Sequence, residues 1–516
     1  MDPARTPVLI GAGQVTQREP DFERAPLDLT ADAARFAAAD AAGDAGAARL
    51  LDCLDTIVVI RSFSQTSWRF ASPFGDPANP PKSLAARLDA SAARRLVYTW
   101  PGGNMPQWCV NRLCADIAAG RAGAALVAGG ETLATQKAAQ RAGVALDWAE
   151  DAGGAPDLWG VATRGWNDVE DRHRMAGAIF AYPLFENAVR GALGRTGTDG
   201  MAEHQAAMGA LFARFAAVAA ANPLADRRTA YTGEQIATVS VDNPYIGFPY
   251  TRLMNANAFI DQAAAVIVTS AAVADDFGVP ADRRVYLHGY ADAHDHWYVS
   301  DRVDFHSSPA MRLVAREAFA MAGLTVADID LIDLYSCFPA AVEAGYAALG
   351  LAEDDPRGLT VTGGLPYFGG PGNNYVTHAV AEMMDRLRAR PGAVGLVTGN
   401  GNYLTKQSAG LYSTTPPDRP FAPPDEAALQ AEIDAVPGPP VTDAPAGPAT
   451  VETWTVMHDR TGPAYAILYG RLGDGTRFIA NTPEDPALLA AMTAQDMLGA
   501  PGRVTTTDGH AVFVPD

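Results

Sequence analysis

The chain has 516 residues, with 59 acidic against 39 basic side chains and a formal net charge of −20. A pI of about 4.8 and the absence of any lysine/arginine run make nucleic acid a poor partner, because the global field repels a phosphate backbone. A hydrophobic fraction of 48% supplies a large core and excludes disorder over the whole chain, and no uninterrupted apolar stretch reaches the roughly 18 to 20 residues of a membrane span. The opening MDPARTPVLIGAG lacks the long apolar segment of a signal peptide, so the expected location is cytoplasmic.

From the N-terminus, the runs Val8–Ile10, Ile57–Ile60, Leu96–Tyr98 and Ala124–Ala128 have the apolar or β-branched content of buried strands. Alanine-rich helical stretches lie between them. Asn104–Gly120 reads as a helix that leads into the strand ending at Gly129-Gly130-Glu131, which is α/β alternation. The alternation pauses over about 140–250, where Trp148, Trp159, Trp166, Tyr182 and Phe185 fall in an irregular, partly helical stretch, read as a lid or insertion. Ala265–Thr269 closes a first half, 1–272; Val285–Leu287, the helix Ser308–Gly323 and the strand Ile329–Leu334 open a second, 273–415, so the unit is duplicated. Residues 416–450 are proline-rich with an acidic helical patch at Asp425–Ala435, the composition of a linker. Over 451–516 the pattern turns to strands, with turns at Gly473-Asp474-Gly475 and Asp508-Gly509, and a small barrel of the OB type fits it.

Cys53, Cys109, Cys114 and Cys337 are too few and too irregularly spaced for a disulfide framework or a cysteine zinc site. Each is then either apolar filler or a nucleophile. Lysine occurs only at Lys82, Lys137 and Lys406 while alanine and arginine abound, which reflects genomic composition. Gly11-Ala12-Gly13 follows a strand, but Thr16 stands where a dinucleotide fingerprint needs its third glycine. Asp292, His294 and His296 could share a strand face as metal ligands, although a polar loop with chance histidines is the plainer reading, and no metal is expected. No G-x-S-x-G elbow and no P-loop occur.

Three glycine- and asparagine-rich clusters remain: Gly102-Gly103-Asn104, the stretch Thr362–Tyr375 containing Gly369-Gly370-Pro371, and Thr398–Tyr403 containing Asn400-Gly401. Loops of this kind bring backbone N–H groups close to a ligand, though each alone reads equally as a tight turn. With them stands Leu334-Tyr335-Ser336-Cys337-Phe338-Pro339 at the end of a buried strand.

With these anchors, together with Pro7–Gln14, Ala128–Glu131 and Asn255–Ala265, the chain resembles the thiolase superfamily in its sterol-carrier-type branch, and within it the type 1 thiolase-like proteins that carry an added C-terminal domain. The resemblance covers essentially the whole chain. It implies two βαβαβαββ halves packed as a five-layered αβαβα sandwich, an acyl-CoA thioester as substrate, and no permanently bound cofactor. It also exposes departures. Counting back from Ile117 and Gly129, the position of the family's nucleophilic cysteine falls at about Gly103, that of the Gly-His-Pro histidine at Gly370, and that of the second cysteine at Val397; the Asn-Glu-Ala-Phe or His-Asp-Cys-Phe element reads Tyr335-Ser336-Cys337-Phe338. Cys109 and Cys114 lie inside the helix beyond the loop and read as packing residues.

Ping-pong acyl transfer needs a nucleophile with a base in reach, so the usual thiolase route is disfavoured. The residues expected around the pocket are Tyr335, Ser336, Cys337, Tyr367, Tyr375, His378, Asn400 and Tyr403 as reacting groups, with Gly103, Asn104, Gly370, Asn374 and Gly401 holding the thioester. His378 also reads as a packing residue, and Lys406 as a surface lysine, with contact to a CoA phosphate as the alternative. Relatives in the branch include retro-aldolases that use tyrosines as acid/base groups alongside an OB-fold partner. The first reading is an acetyl-CoA acetyltransferase-like enzyme making or breaking a carbon–carbon bond, by bond formation or retro-aldol cleavage, without the cysteine acyl-enzyme; the alternative is a non-catalytic acyl-CoA-binding or scaffold protein. Thiolases are commonly dimers, so monomer and homodimer both stay open.

Overall fold

The alternation of short apolar runs and alanine-rich helices becomes two sheets in a computed structural model that describes residues 2–516. The first sheet runs, in spatial order, Pro7–Gln17, Asp261–Ser270, Ala124–Thr132, Thr56–Val59, Arg95–Thr99 and Asp157–Trp159. The second runs Leu331–Asp333, Val394–Gly401, Lys406–Ser413 and Tyr286–His294. Numbered within each half, the second sheet repeats the order of the first without its third strand, and the leading strands of the two halves touch through the Leu9–Val285 bridge. The duplication expected from the sequence is therefore a property of the fold.

Two helices, Met105–Ala118 and Tyr375–Ala389, lie between the sheets and close the layered sandwich. Both are largely buried, with Cys109, Val110, Leu113, Cys114 and Ile117 in the core on the first and Val376, Ala379, Val380, Met383 and Leu387 on the second, while Arg112, Asp385 and Arg386 reach solvent. A helix with apolar residues on more than one face needs cover on more than one face, which the central layer provides. Outside the sheets lie Pro26–Asp52 and Pro309–Ala322. A Cβ at Gly11 would stand 2.1 Å from the carbonyl of Ala37, and one at Gly289 2.1 Å from that of Ala318. Each half thus uses glycine on its first strand to seat a helix backbone, and Gly11-Ala12-Gly13 is a packing device.

Between Ala124–Thr132 and Asp261–Ser270 the chain builds a helical excursion, with Ala178–Ala192 and Gly197–Ala221 as its long members, ending in the hairpin Tyr245–Gly247/Tyr250–Thr251. The same excursion supplies Asp157–Trp159, which pairs in parallel with Arg95–Thr99 and covers what would otherwise be the open edge of the first sheet. Trp159 is fixed there by the Arg95 guanidinium 4.5 Å over its ring and by Trp108 at 5.9 Å.

The C-terminal strands Gly447–Asp459, Gly462–Leu472, Arg477–Asn481, Pro501–Thr507 and His510–Pro515 form a closed five-stranded barrel. Its third and fifth strands are parallel, the helix Pro486–Ala494 lies between the third and fourth, and the first pairs with both the second and the fourth. That is the OB arrangement. Trp454, Leu468, Phe478, Leu489, Met492 and Phe513 fill it. Before it, the helix Glu426–Asp434 buries Leu429 and Ile433. The barrel is joined to the excursion by Met457–Gly247 pairing and by the Phe248 N–H donating to the Val456 carbonyl at 2.8 Å. It is joined to the sandwich by Arg477, fully buried, whose guanidinium meets Glu452 and donates to the Ser300 carbonyl at 3.0 Å. Among the described residues no helix is long and apolar enough to cross a membrane.

Candidate functional site

Four backbone turns meet where the central helices begin. Arg95–Thr99 runs out into Gly102-Gly103-Asn104 at the start of the first central helix, and Leu331–Asp333 into Tyr335–Phe338. The stretch 362–374 leads into the second central helix, and 400–406 joins two strands of the second sheet. Glycine permits the crowding: a Cβ at Gly401 would lie 2.5 Å from the Asn104 Oδ1, and one at Gly399 2.9 Å from the Asn104 Cα. At Gly103 the obstacle is a side chain. A Cβ there would stand 2.1 Å from the Tyr335 hydroxyl and 2.6 Å from the Asn400 carbonyl. The tyrosine from the second half therefore fills the space into which any side chain at 103 would project.

Around this contact the polar groups are buried and mostly paired. Asn104 donates through Nδ2 to the Ser408 hydroxyl at 3.1 Å, while its Oδ1 has no partner. Asn400 donates to the Tyr182 hydroxyl at 2.7 Å, and its Oδ1 is likewise unpartnered. Tyr182 is stacked on Phe338 with centroids 4.5 Å apart. The Gly102 N–H donates to the Asn373 Oδ1 at 3.1 Å, and Asn374 donates to the Gly129 carbonyl at 2.6 Å, tying the second central helix to the first sheet. Gly370 donates its N–H to the Asn257 carbonyl at 2.9 Å.

Tyr335 and Tyr375 stand edge to face at 5.8 Å. The Tyr375 hydroxyl is 2.6 Å from that of Thr362 and 3.2 Å from the Asp333 Oδ1. Burial pushes Asp333 up to about 6, against the N–H of Val361 and the hydroxyl of Thr360, which favour its charged form. Ser336 accepts the Leu365 N–H at 3.3 Å. Burial pushes the Cys337 thiol up to about 12, so it stays protonated and a poor nucleophile at neutral pH. The hydroxyls of Tyr335, Tyr367, Tyr375 and Tyr403 are all raised above the usual phenol range by the same cause. Such hydroxyls donate hydrogen bonds; they do not accept protons as bases at pH 7.

The remaining candidates are dispersed. Tyr367 is packed against Phe212 at 6.2 Å and Tyr231 at 6.0 Å, its hydroxyl unpartnered. Tyr403 lies on Trp166 at 5.9 Å. The four tyrosine hydroxyls thus have four separate surroundings. His378 holds its Nδ1 at 2.8 Å from the Gln14 Oε1 and sits edge to face with Phe368 at 5.2 Å. Since the amide oxygen only accepts, Nδ1 carries the proton, and burial lowers the imidazole to about 3. Val397 is a buried strand residue.

Lys406 corrects the reading of a surface lysine: it is 6% exposed and donates to the carbonyls of Pro101 at 2.7 Å and Val161 at 3.2 Å. Burial lowers it to about 8. It braces the 102–104 turn through the Pro101 carbonyl. Asp292, His294 and His296 share no focus. Asp292 accepts from Asn111 at 3.0 Å, His294 lies on Trp297 at 4.4 Å, and His296 meets the Val436 carbonyl at 2.9 Å. Cys109 and Cys114 are fully buried helix-packing residues. Tyr182, Asp333, Asn373 and Gln14 carry structural hydrogen bonds that sequence reasoning did not single out as site residues. Of these, Gln14 lies within Pro7–Gln14 and Asn373 within the glycine-rich stretch Thr362–Tyr375.

Two family models match the chain, "Thiolase C-terminal domain-like" over residues 291–414 and "Thiolase-like protein type 1 additional C-terminal domain" over 428–509. Among solved structures, a monomeric SCP2-thiolase-like protein type 1 from Mycobacterium smegmatis is 34% identical, superposes with a TM-score of 0.83, and covers 99% of each chain. The Ltp2–ChsH2(DUF35) aldolase shares the fold at 19% identity and a TM-score of 0.56, over 79% of this chain and 98% of that one. An acetyl-CoA acetyltransferase from Methanothermobacter thermautotrophicus is 31% identical over 157 residues, which span 26% of this chain and 40% of that protein.

Proposed function

Because the chain belongs to the SCP2-thiolase-like proteins of type 1, within the thiolase superfamily, we propose that it binds a coenzyme A thioester and does not carry out cysteine acyl transfer. The observation that carries this reading is the Tyr335 hydroxyl, 2.1 Å from where a side chain at 103 would begin. A protonated phenol there can donate to a thioester oxygen but cannot be acylated in the manner of a thiolate. The unpartnered Oδ1 atoms of Asn104 and Asn400 suit the amide N–H groups of a pantetheine arm. The buried thiol of Cys337 and the inaccessible imidazole of His378 leave no nucleophile and base in contact.

A second reading, carbon–carbon cleavage of a β-hydroxyacyl thioester, is favoured by the same hydroxyl. In that reaction a base removes the β-hydroxyl proton, the Cα–Cβ bond breaks, and Tyr335 stabilises the enolate oxygen as a hydrogen-bond donor. It ranks second because no base faces Tyr335 among the residues described.

The test is calorimetric titration with acetyl-CoA, acetoacetyl-CoA and a β-hydroxyacyl-CoA, with consumption followed by mass spectrometry. Saturable binding without turnover is expected, weakened about five- to tenfold in Tyr335→Phe by loss of one hydrogen bond. An acyl adduct on any cysteine, or no binding of any thioester, refutes the proposal. Consumption that vanishes in Tyr335→Phe replaces it with the second reading.

A further inference from the structure

Beyond the Gly103 site, a separate cavity of about 40 Å³ opens at the carboxyl ends of Thr56–Val59, Arg95–Thr99 and Ala124–Thr132, beneath the 62–77 segment. Open parallel sheets bind ligands at such ends. One water position needs roughly 10–15 Å³ on this measure, so the space suits about three non-hydrogen atoms. Leu27, Val59, Ile60, Pro77 and Trp148 form an apolar wall. Facing it are two carboxylates, Asp76 and Glu131, with the hydroxyls of Ser62 and Ser64. The lining residues described include no lysine, arginine or histidine.

Each carboxylate has one oxygen engaged and one free. The Glu131 Oε1 accepts the Phe63 N–H at 2.7 Å, and the Asp76 Oδ1 accepts the Ser64 hydroxyl. The Glu131 Oε2 and the Asp76 Oδ2 take no hydrogen bond from the residues described, although Glu131 is only 3% exposed. Neither oxygen is sealed in the core: both residues line the cavity, so these oxygens are free to accept from a ligand there. A hard divalent ion would want six or more oxygens and no apolar wall. An ammonium group wants a few acceptors and brings carbon of its own.

We propose that this cavity is a binding site for a small primary ammonium cation, its nitrogen held between Glu131 and Asp76 and its carbon against Trp148 and Ile60. The site is independent of the thioester reading. It is nevertheless adjacent to it, since the Glu131 Oε1 lies 2.1 Å from where a Cβ of Gly372 would be. Burial pushes Glu131 up to about 8 and raises Asp76, so the empty site keeps a proton that the cation must displace. The other titratable groups near Glu131 are Asp261 and Tyr98, with the Arg61 guanidinium 4.3 Å over the Tyr98 ring. Burial raises Asp261 against the hydroxyl and N–H of Thr135, and it pushes Tyr98 up to about 12.

The experiment is titration of the full chain with ethylammonium chloride, with ethanol as the neutral isostere, at constant ionic strength, by calorimetry and ligand-observed NMR. Ethylammonium should bind with a dissociation constant in the millimolar range, the ceiling for about three non-hydrogen atoms, and ethanol should not saturate. Affinity should rise about fivefold from pH 7 to 8, reach about tenfold by pH 9 and flatten above it, with proton release on binding. Glu131→Gln should lose that pH dependence and about tenfold in affinity. Asp76→Asn, at a less buried position, should weaken binding while the circular dichroism spectrum stays that of the parent. No saturable binding at pH 9, ethanol binding as tightly as ethylammonium, or unchanged affinity in a folded Asp76→Asn overturns the proposal.

Discussion

Replacing Gly103 by alanine adds one methyl group where the structure has no room. The new carbon would meet the Tyr335 hydroxyl at 2.1 Å, the Asn400 carbonyl at 2.6 Å and the Tyr335 Cζ at 2.7 Å. Gly103 is not in the left-handed region, so the cost is steric alone. Overpacking of a buried site of this kind costs about 1–3 kcal/mol, and contact with both a ring and a fixed carbonyl puts it near 2–3. Tyr335→Ala empties the space and costs about 3–4 kcal/mol by itself. In the double variant the two ring contacts vanish and the carbonyl contact persists, so the total should fall short of the sum by about 1–2 kcal/mol. Tyr335→Phe removes only the hydroxyl, leaves Cζ in place, and should couple more weakly. Urea unfolding of the parent, singles and doubles, read by circular dichroism with a common slope, measures each value. Gly103→Ala within about 0.5 kcal/mol of the parent, or strict additivity with Tyr335→Ala, would mean that Tyr335 does not fill the space beside residue 103.

In the native protein Ellman's reagent should titrate Cys53, the exposed thiol, while Cys109, Cys114 and Cys337 react only after denaturation; fast modification of Cys337 would contradict its burial and its raised ionisation. Folding holds His378 neutral by lowering it from 6.5 to about 3. Its contribution is therefore present above pH 6.5 and lost as pH falls toward 3, about 4–5 kcal/mol in all. Compared with His378→Gln, the parent's advantage in urea should shrink steadily over that window, and a constant difference would refute the assignment. Arg477→Met strips the buried partner from Glu452 and the Ser300 carbonyl and should cost about 3–5 kcal/mol, with early proteolysis near 437–447 as the readout; an unchanged melting profile would show that the guanidinium does not secure the barrel.

The layered fold was legible because its signals are local. Short apolar runs flanked by alanine-rich helices mark buried strands wherever they occur, and the barrel follows a proline-rich stretch with its own alternation. The strand Asp157–Trp159 was not legible, since its residues carry no apolar run and pair only because Arg95–Thr99 presents an open edge. At the site, the glycine at 103 and the tyrosine at 335 were each visible as departures from a pattern. That one fills the space beside the other could not be read, because it depends on how two halves of the chain face each other across the central layer. Lys406 failed for a related reason: a polar residue after a glycine turn is normally solvated, but this turn folds back so that Pro101 and Val161 offer their carbonyls to it. The tyrosines were grouped by their nearness in sequence to glycine loops, whereas the direction of each ring is set by the aromatic neighbour it finds, Tyr231 for one and Trp166 for another.

The barrel's attachment carries a consequence of its own. Its first strand is hydrogen-bonded to the hairpin Tyr245–Thr251, its Tyr469 hydroxyl reaches Glu170 at 3.0 Å, and its Arg477 is sunk among the carbonyls of residues 300–303. Cleaving the chain anywhere between Val436 and Val441 would sever none of these. The two fragments should stay associated through dialysis, and the covalent link between them serves to deliver the barrel during synthesis more than to retain it afterwards.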